Sequence, residues 1–441
     1  MGLFAASPPA CEARLNRSEG MRKMPDTPSR PRSRRRQAVL SVLSGACALL
    51  LVIGIVRAPR EAFRASLAGL QVWWQTVFPG LLPPLMLAEL LAASGLLHGI
   101  GTLCEPFTRR WFRLPGAAGW AIAFGWSAGM PAGAREAARL RDKGLVREAD
   151  MDTLLLVSHM PNPFMVVLVV GSGFLQAPAY GWALVLGLWL SAIAAGFLWA
   201  RVARPASPPS TPAFPAGEPR ALLLRLARVV REAREEDGRP FGKQIADAVS
   251  HAVTTLMAVG GLIMMSSVLL RMLQLAWPEA DAWLAVPGLY ELHLGAFEAS
   301  RSALFASSPV QAVSLLAAVL AWTGWSGLLQ ARAAFGSGSA FPWGRFIAAK
   351  LLHAALALGF TFPLAYAVRE GHLFGLVPAW NVFGYGRSES AGWDASLPSG
   401  LQAFSDMLAT SLASVAVFLL LALLAALIRP RKRPPGGRRR P

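Results

Sequence analysis

Charge is scarce in this sequence: only 15% of its 441 residues are Asp, Glu, Lys or Arg, against 54% hydrophobic. A soluble domain carries roughly twice that charged share on its surface, so a water-soluble two-domain protein is excluded. Cysteine is equally thin. Cys11, Cys47 and Cys104 are far apart and share no metal or redox spacing, which removes a disulfide framework and a thiolate metal centre. No GxSxG, HExxH or Walker A lysine occurs, so no enzymatic constellation is expected and no cofactor or metal is assigned. The lack of an ATP-binding module argues against an autonomous primary pump and leaves a separate motor subunit open. Ten-residue alternation is missing too, which rules out a porin-like barrel.

What is present is apolar length. Mean hydropathy is +0.43, and runs of membrane-spanning length recur from residue 38 to residue 428. The expected fold class is an all-α polytopic membrane protein. Net charge is +18, and its placement argues against nucleic acid. Residues 1–36 carry +6, the linker 201–243 carries +4 and the tail 429–441 carries +7. Basic blocks flanking apolar spans mark the cytoplasmic side. The partners implied are membrane lipid and a small ligand, not nucleic acid.

Charge sets the topology. The run AVLSVLSGACALLLVIGIV at 38–56 reads as an uncleaved first span within 37–57. Residues 60–76 read as an interfacial helix, and span 2 follows at 77–98. The 116–134 segment is short, glycine-rich and flanked by basic residues on both sides, the pattern of a re-entrant hairpin. Spans 3 (153–174) and 4 (180–200) lead to the 201–243 linker, whose LLLRLARVVREAREE rhythm suggests an amphipathic helix with its apolar face on the membrane surface. Span 5 (248–270), a second hairpin (285–305), and spans 6 (310–331) and 7 (346–368) follow. An external loop (369–409), span 8 (410–428) and the basic tail complete the chain. Eight crossings place both termini in the cytoplasm. Trp73, Trp74, Trp111, Trp182 and Trp199 lie near span ends, as interfacial anchors do.

The order hairpin, broken span, span occurs twice, in 77–200 and in 244–368, with the hairpins opening to opposite faces. That is the order of an inverted repeat, the construction of secondary transporters with a midplane site. Pro161-Asn162-Pro163 breaks span 3, and TGWSGLLQ at 323–330 loosens span 6. Freed backbone groups are tolerable at that depth where they line a cavity.

Ser127, Gly129, Pro131 and Gly133 form the expected tip of the first hairpin, lining a site or making a close helix contact. Asn162 either meets ligand or caps the broken helix. His159 reads as a substrate contact or a bond between helices. Ser326, Gly327 and Gln330 share the second break as polar readers of a ligand. Glu291 and Glu298 lie two turns apart if helical. They, with Glu89 of span 2, are candidates for Na⁺ or proton coupling. The alternatives for the pair are an ion pair with Arg301 or a shallower, wetted hairpin.

Several stretches carry a resemblance: ELLAASGL at 89–96, LCEPFTRRWFRLPGAAGWA, GWSAGMPAGAREAARLRDKGL, SHMPNPF, GLYELHLGAFEAS and AWTGWSGLLQARA. Together they resemble the sporulation integral membrane protein YlbJ family, whose nucleoside-recognition (Gate) domain occurs twice. The resemblance covers about residues 37–368 plus span 8. It implies eight helices and two hairpins, similar to concentrative nucleoside transporters. It also implies movement of dipicolinic acid across the outer forespore membrane, among spore membrane proteins as partners. Gly129, Pro131 and Gly133 fall on the family's SGxPxGA-like tip, Asn162-Pro163 on its NP break, and Ser326, Gly327 and Gln330 on its SGxxxQ. Ala128 replaces the usual serine, and Ser127 lies one position away. A nucleoside or nucleobase carrier and a non-transporting scaffold for spore cortex formation are the competing functions.

Overall fold

The computed structural model describes residues 31–202, 219–280, 286–336 and 340–371, and among these the chain is helical with no strand. The expected span at 410–428, the external loop beyond 371, the tails 1–30 and 429–441, and linker residues 203–218 lie outside the described residues. The chain divides into two compact units, Met1–Arg57 and Ala58–Pro441. The first contributes one helix, Pro31–Arg57, whose apolar part is Ser41–Arg57.

Among the described residues of the second unit, five helices are long and apolar enough to cross a membrane: Pro59–Ala93, Pro178–Val202, Phe241–Ala276, Pro309–Ala333 and Trp343–Arg369. They make the chain a polytopic helical membrane protein. The expected third span is split into Met151–Ser158 and Met165–Phe174, so neither piece has spanning length.

One boundary differs from the sequence reading. Instead of an interfacial helix followed by a span, residues 59–93 form one 35-residue helix. The charges that argued for a break find partners: Glu61 accepts a 2.7 Å hydrogen bond from Arg271 and pairs with Arg64 at 3.3 Å. The helix widens into a π-helical turn at Trp73–Val77, directly before Pro79. Proline removes a donor and crowds the carbonyl four residues back, and a widened turn relieves that crowding.

This helix runs antiparallel to Phe241–Ala276, and the contacts descend in register. Glu61 meets Arg271, Ser267 donates to the Ala65 carbonyl, Trp73 donates to the Leu256 carbonyl, and Glu89 faces His251. Small residues bring the backbones together: a Cβ at Gly69 would lie 3.0 Å from the Met264 Cα, and one at Gly260 would strike the Trp73 ring. Trp73 is therefore buried in the helix pair rather than anchored at an interface, whereas Trp74 is exposed.

The helix Pro219–Asp237 docks on Leu96–Trp111, which takes up part of its apolar face. Its Val230 sits against Gly95 and Gly99. Arg225 donates to Glu105 at 2.7 Å, and Glu105 also accepts from Arg109 at 2.8 Å. Half-buried positions 225, 226, 229, 230, 233 and 237 make the facing stripe, the spacing one helix face requires.

Candidate ligand site

The GWSAGMPAG stretch folds as a helical hairpin. Ala118–Ala128 and Ala132–Asp142 pack together and are joined at Gly129-Met130-Pro131. Gly129 takes φ +79, a conformation that strains any residue with a Cβ. The second arm extends past the expected end at 134 because Ala134, Ala137, Ala138 and Leu140 bury one face of a segment whose other face is charged.

Each hairpin tip is tied to the interruption of the helix that follows it. At the first, the Asn162 amide donates to the Ala128 carbonyl at 3.0 Å, and its oxygen accepts from Met165 N at 2.6 Å. One side chain thus holds the tip and caps the helix Met165–Phe174, supplying a partner for an otherwise orphan donor. At the second, Pro287–Leu289 and Leu292–Ser300 meet at Tyr290-Glu291, and Ser326 N donates to the Tyr290 carbonyl at 2.9 Å. There the break lies between Pro309–Trp322 and Gly324–Ala333, with Thr323 and Gly324 at φ +70 and +69.

The two interruptions also touch. A His159 Nε2 hydrogen bond of 2.9 Å reaches the Gly327 carbonyl. The Lys350 ammonium, fully buried in Trp343–Arg369, donates to the His159 carbonyl at the end of Met151–Ser158. At the other end of that short helix the buried Asp152 accepts from Arg345 at 2.7 Å and Trp199 at 2.9 Å. A carboxylate at the N-terminus and an ammonium at the C-terminus complement the helix dipole.

Between the tips lies a cavity of about 40 Å³, with Gly129, Met130, Asn162, His293, Gln330 and Thr255 among its walls. A water needs about 10–15 Å³ of such space, so it holds a few waters. A smaller pocket adjoins it beyond Met130 and Thr255, with Glu89, Pro131, Arg135 and His251 on its walls.

The sequence-predicted residues therefore separate. Gly129, Asn162 and Gln330 reach the cavity, and Pro131 and Glu89 reach the adjoining pocket. Gly133 is a packing residue: it and Gly125 cradle the Ser158 carbonyl, and a Cβ at either would fall 2.0 Å from that oxygen. Ser127 donates to the Ala123 carbonyl of its own helix at 2.8 Å. His159 and Gly327 bond each other, and the buried Ser326 hydroxyl has no hydrogen-bond partner.

Glu291 and Glu298 do not share a helix face. Glu291 stands outside the helix as its cap, with extended backbone, and accepts from Leu294 N at 2.7 Å, while Glu298 is exposed. Arg301 stacks 5.3 Å from the Phe297 ring centre. Sequence reasoning passed over His293, 2.8 Å from Glu291, and Lys350. An ionisable residue inside an apolar run was signal enough for both.

No family model matches the chain, and no solved structure matches it. Among curated proteins it is 34% identical over 225 residues to the sporulation integral membrane protein YlbJ of Bacillus subtilis (strain 168). The match covers 51% of this chain and 55% of the relative, so the chain spans about half the length of the curated relative it matches. Over that half the chain is similar to YlbJ.

Proposed function

We propose that this chain is a sporulation membrane transporter for a small organic anion, with dipicolinic acid the leading candidate, acting in the outer forespore membrane with both termini cytoplasmic. In this reading the two hairpins enter the bilayer from opposite faces and the two halves form an inverted repeat. One observation carries it: two hairpins and two interrupted helices gather around one small cavity, mostly apolar, whose polar side chains are Asn162, Thr255, His293 and Gln330. Unwound backbone at membrane depth belongs where it serves a cavity, and the helix beginning at Met165 brings to the cavity wall an N-terminal end of the kind that favours anionic groups. The relative, a sporulation integral membrane protein, supplies the sporulation setting.

Ligand pockets commonly enclose about 300–1,000 Å³, so a cavity of about 40 Å³ is a closed arrangement that must widen to admit dipicolinate. We assign coupling of Na⁺ or protons to Glu89, which lines the adjoining pocket; Glu291 is taken up by Leu294 N and His293, and Glu298 is exposed.

Uptake into proteoliposomes with dipicolinate or uridine, with and without imposed Na⁺ and pH gradients, tests this reading. Dipicolinate uptake should exceed uridine uptake, and Asn162→Ala and Gln330→Ala should each lower it at unchanged protein level. Uptake of uridine alone would replace the anion by a nucleoside. Normal dipicolinate uptake in both variants would remove these residues from the site.

A further inference from the structure

Building on that transport reading, we infer that Glu291 and His293 form one protonatable unit that presents a cationic N–H to the cavity and selects an anionic ligand over a neutral one. His293 lines the cavity wall. Its Nδ1 is engaged by Glu291 Oε1 at 2.8 Å, which leaves Nε2 as the ring nitrogen for the cavity. Both side chains are buried, at 7% and 3% exposure, and the second oxygen of Glu291 is fixed by Leu294 N. A carboxylate held on one ring nitrogen sets which tautomer the ring adopts.

The step is a proton binding. Nε2 takes a proton from water, Glu291 stays a carboxylate and balances the charge, and the Nε2–H donates to a ligand carboxylate oxygen. Loss of that proton withdraws the donor and releases the anion.

The remaining ionisable groups leave this pair to set the response. Segments 165–174, 287–289, 303–307 and 309–322, all packed near the 292–300 helix, carry none. Phe241–Ala276 and Pro59–Ala93 bring His251 with Glu89 to the adjoining pocket and Arg271 with Glu61 to their far ends. Their other charges, Arg60, Arg64, Lys243 and Asp247, also stand toward helix ends. Arg332, on Gly324–Ala333, donates to the Phe335 carbonyl. Glu298 and Arg301 follow on the helix itself, and Tyr290 precedes Glu291.

The test compares dipicolinate with its neutral diamide, pyridine-2,6-dicarboxamide, in proteoliposomes of the full chain at pH 5.5 and 8.5. Wild-type dipicolinate flux should fall from pH 5.5 to pH 8.5, and the diamide should be carried poorly at both. His293→Gln should flatten the pH ratio and lose most of the preference for the dianion. A variant that keeps both would overturn the inference while leaving transport intact. A second readout is independent of flux: ¹⁵N-histidine spectra of the purified protein, with the His293 signal assigned from His293→Gln. Glutamine at 291 can still accept from Leu294 N, so Glu291→Gln should fold and displace the His293 titration. An unchanged titration overturns the pair. If no dipicolinate moves at any pH, the transport reading fails and these spectra still decide the pair.

Discussion

The two halves solve one problem by different means. In the first, the gap after Met151–Ser158 is four residues wide, the helix resuming at Pro163, and it is held by side chains: Asn162 ties the tip to the resumed helix, and Lys350 takes the His159 carbonyl. In the second, the gap is a single left-handed corner at Thr323-Gly324, and the tie to the tip is backbone to backbone, Ser326 N to Tyr290 O. The first break should therefore answer to side-chain chemistry and the second to backbone freedom and local volume.

The largest effect is expected at Gly133. Gly133→Ala places a methyl 2.0 Å from the Ser158 carbonyl, against backbone that cannot rotate aside. Overpacking of this kind costs about 3 kcal/mol, and thermal unfolding in detergent should show it. A wild-type melting temperature would dissolve the rigid contact assigned to the first half.

Next comes Asn162→Ala, which removes a cap and a buried donor together. A loss of about 1–2 kcal/mol is expected. Asn162→Asp should recover part of it, since a carboxylate still accepts from Met165 N but cannot donate to Ala128 O. Equal losses in both variants would mean that the cap contributes nothing.

Gly324→Ala probes the second half. The backbone there has φ +69, and a Cβ would lie 2.9 Å from the Tyr290 carbonyl oxygen. About 1–2 kcal/mol is expected from the left-handed conformation, with the crowding adding to it. Ser326→Ala should leave the tip tie in place, because its backbone makes that bond; chemical unfolding of the pair separates backbone from side chain.

The smallest effect concerns the entry to the second half. Hydrogen bonding from Arg239 holds the Asp237 carboxyl down at about 2, below its usual value near 3.8. A depressed carboxyl contributes stability that is present above the unfolded value and is lost as pH falls through the folded one. Hydrogen exchange across 237–247 should therefore be unchanged from pH 7 to about 5 once corrected for intrinsic rate. Protection should fall only below about pH 4. Its partner Arg239 is exposed to solvent, which screens the pair, so the change is small.

Both helix breaks were legible because proline and glycine carry their meaning locally: PNP removes donors, and TGWSG allows a left-handed corner. The second arm of the first hairpin was not, since REAARLRD reads as charged until Ala137, Ala138 and Leu140 find a neighbour to bury against. The unbroken helix at 59–93 was hidden for the same reason, its Glu61 depending on an arginine 210 residues away. Within the site, Gly129, Asn162 and Gln330 could be picked out by type. Gly133 and Gly327 could not be sorted from them, because packing against Ser158 and bonding to His159 are facts of tertiary distance.

The slot around the Ser158 carbonyl leaves no slack between the first hairpin and its neighbouring half-helix. Those two pieces must travel as a block, so they make a poor door. Under the transport reading, opening would fall to the wall of Leu81, Leu85 and Thr255, on two long helices that the Glu61–Arg271 pair and the Trp73 bond to the Leu256 carbonyl hold together.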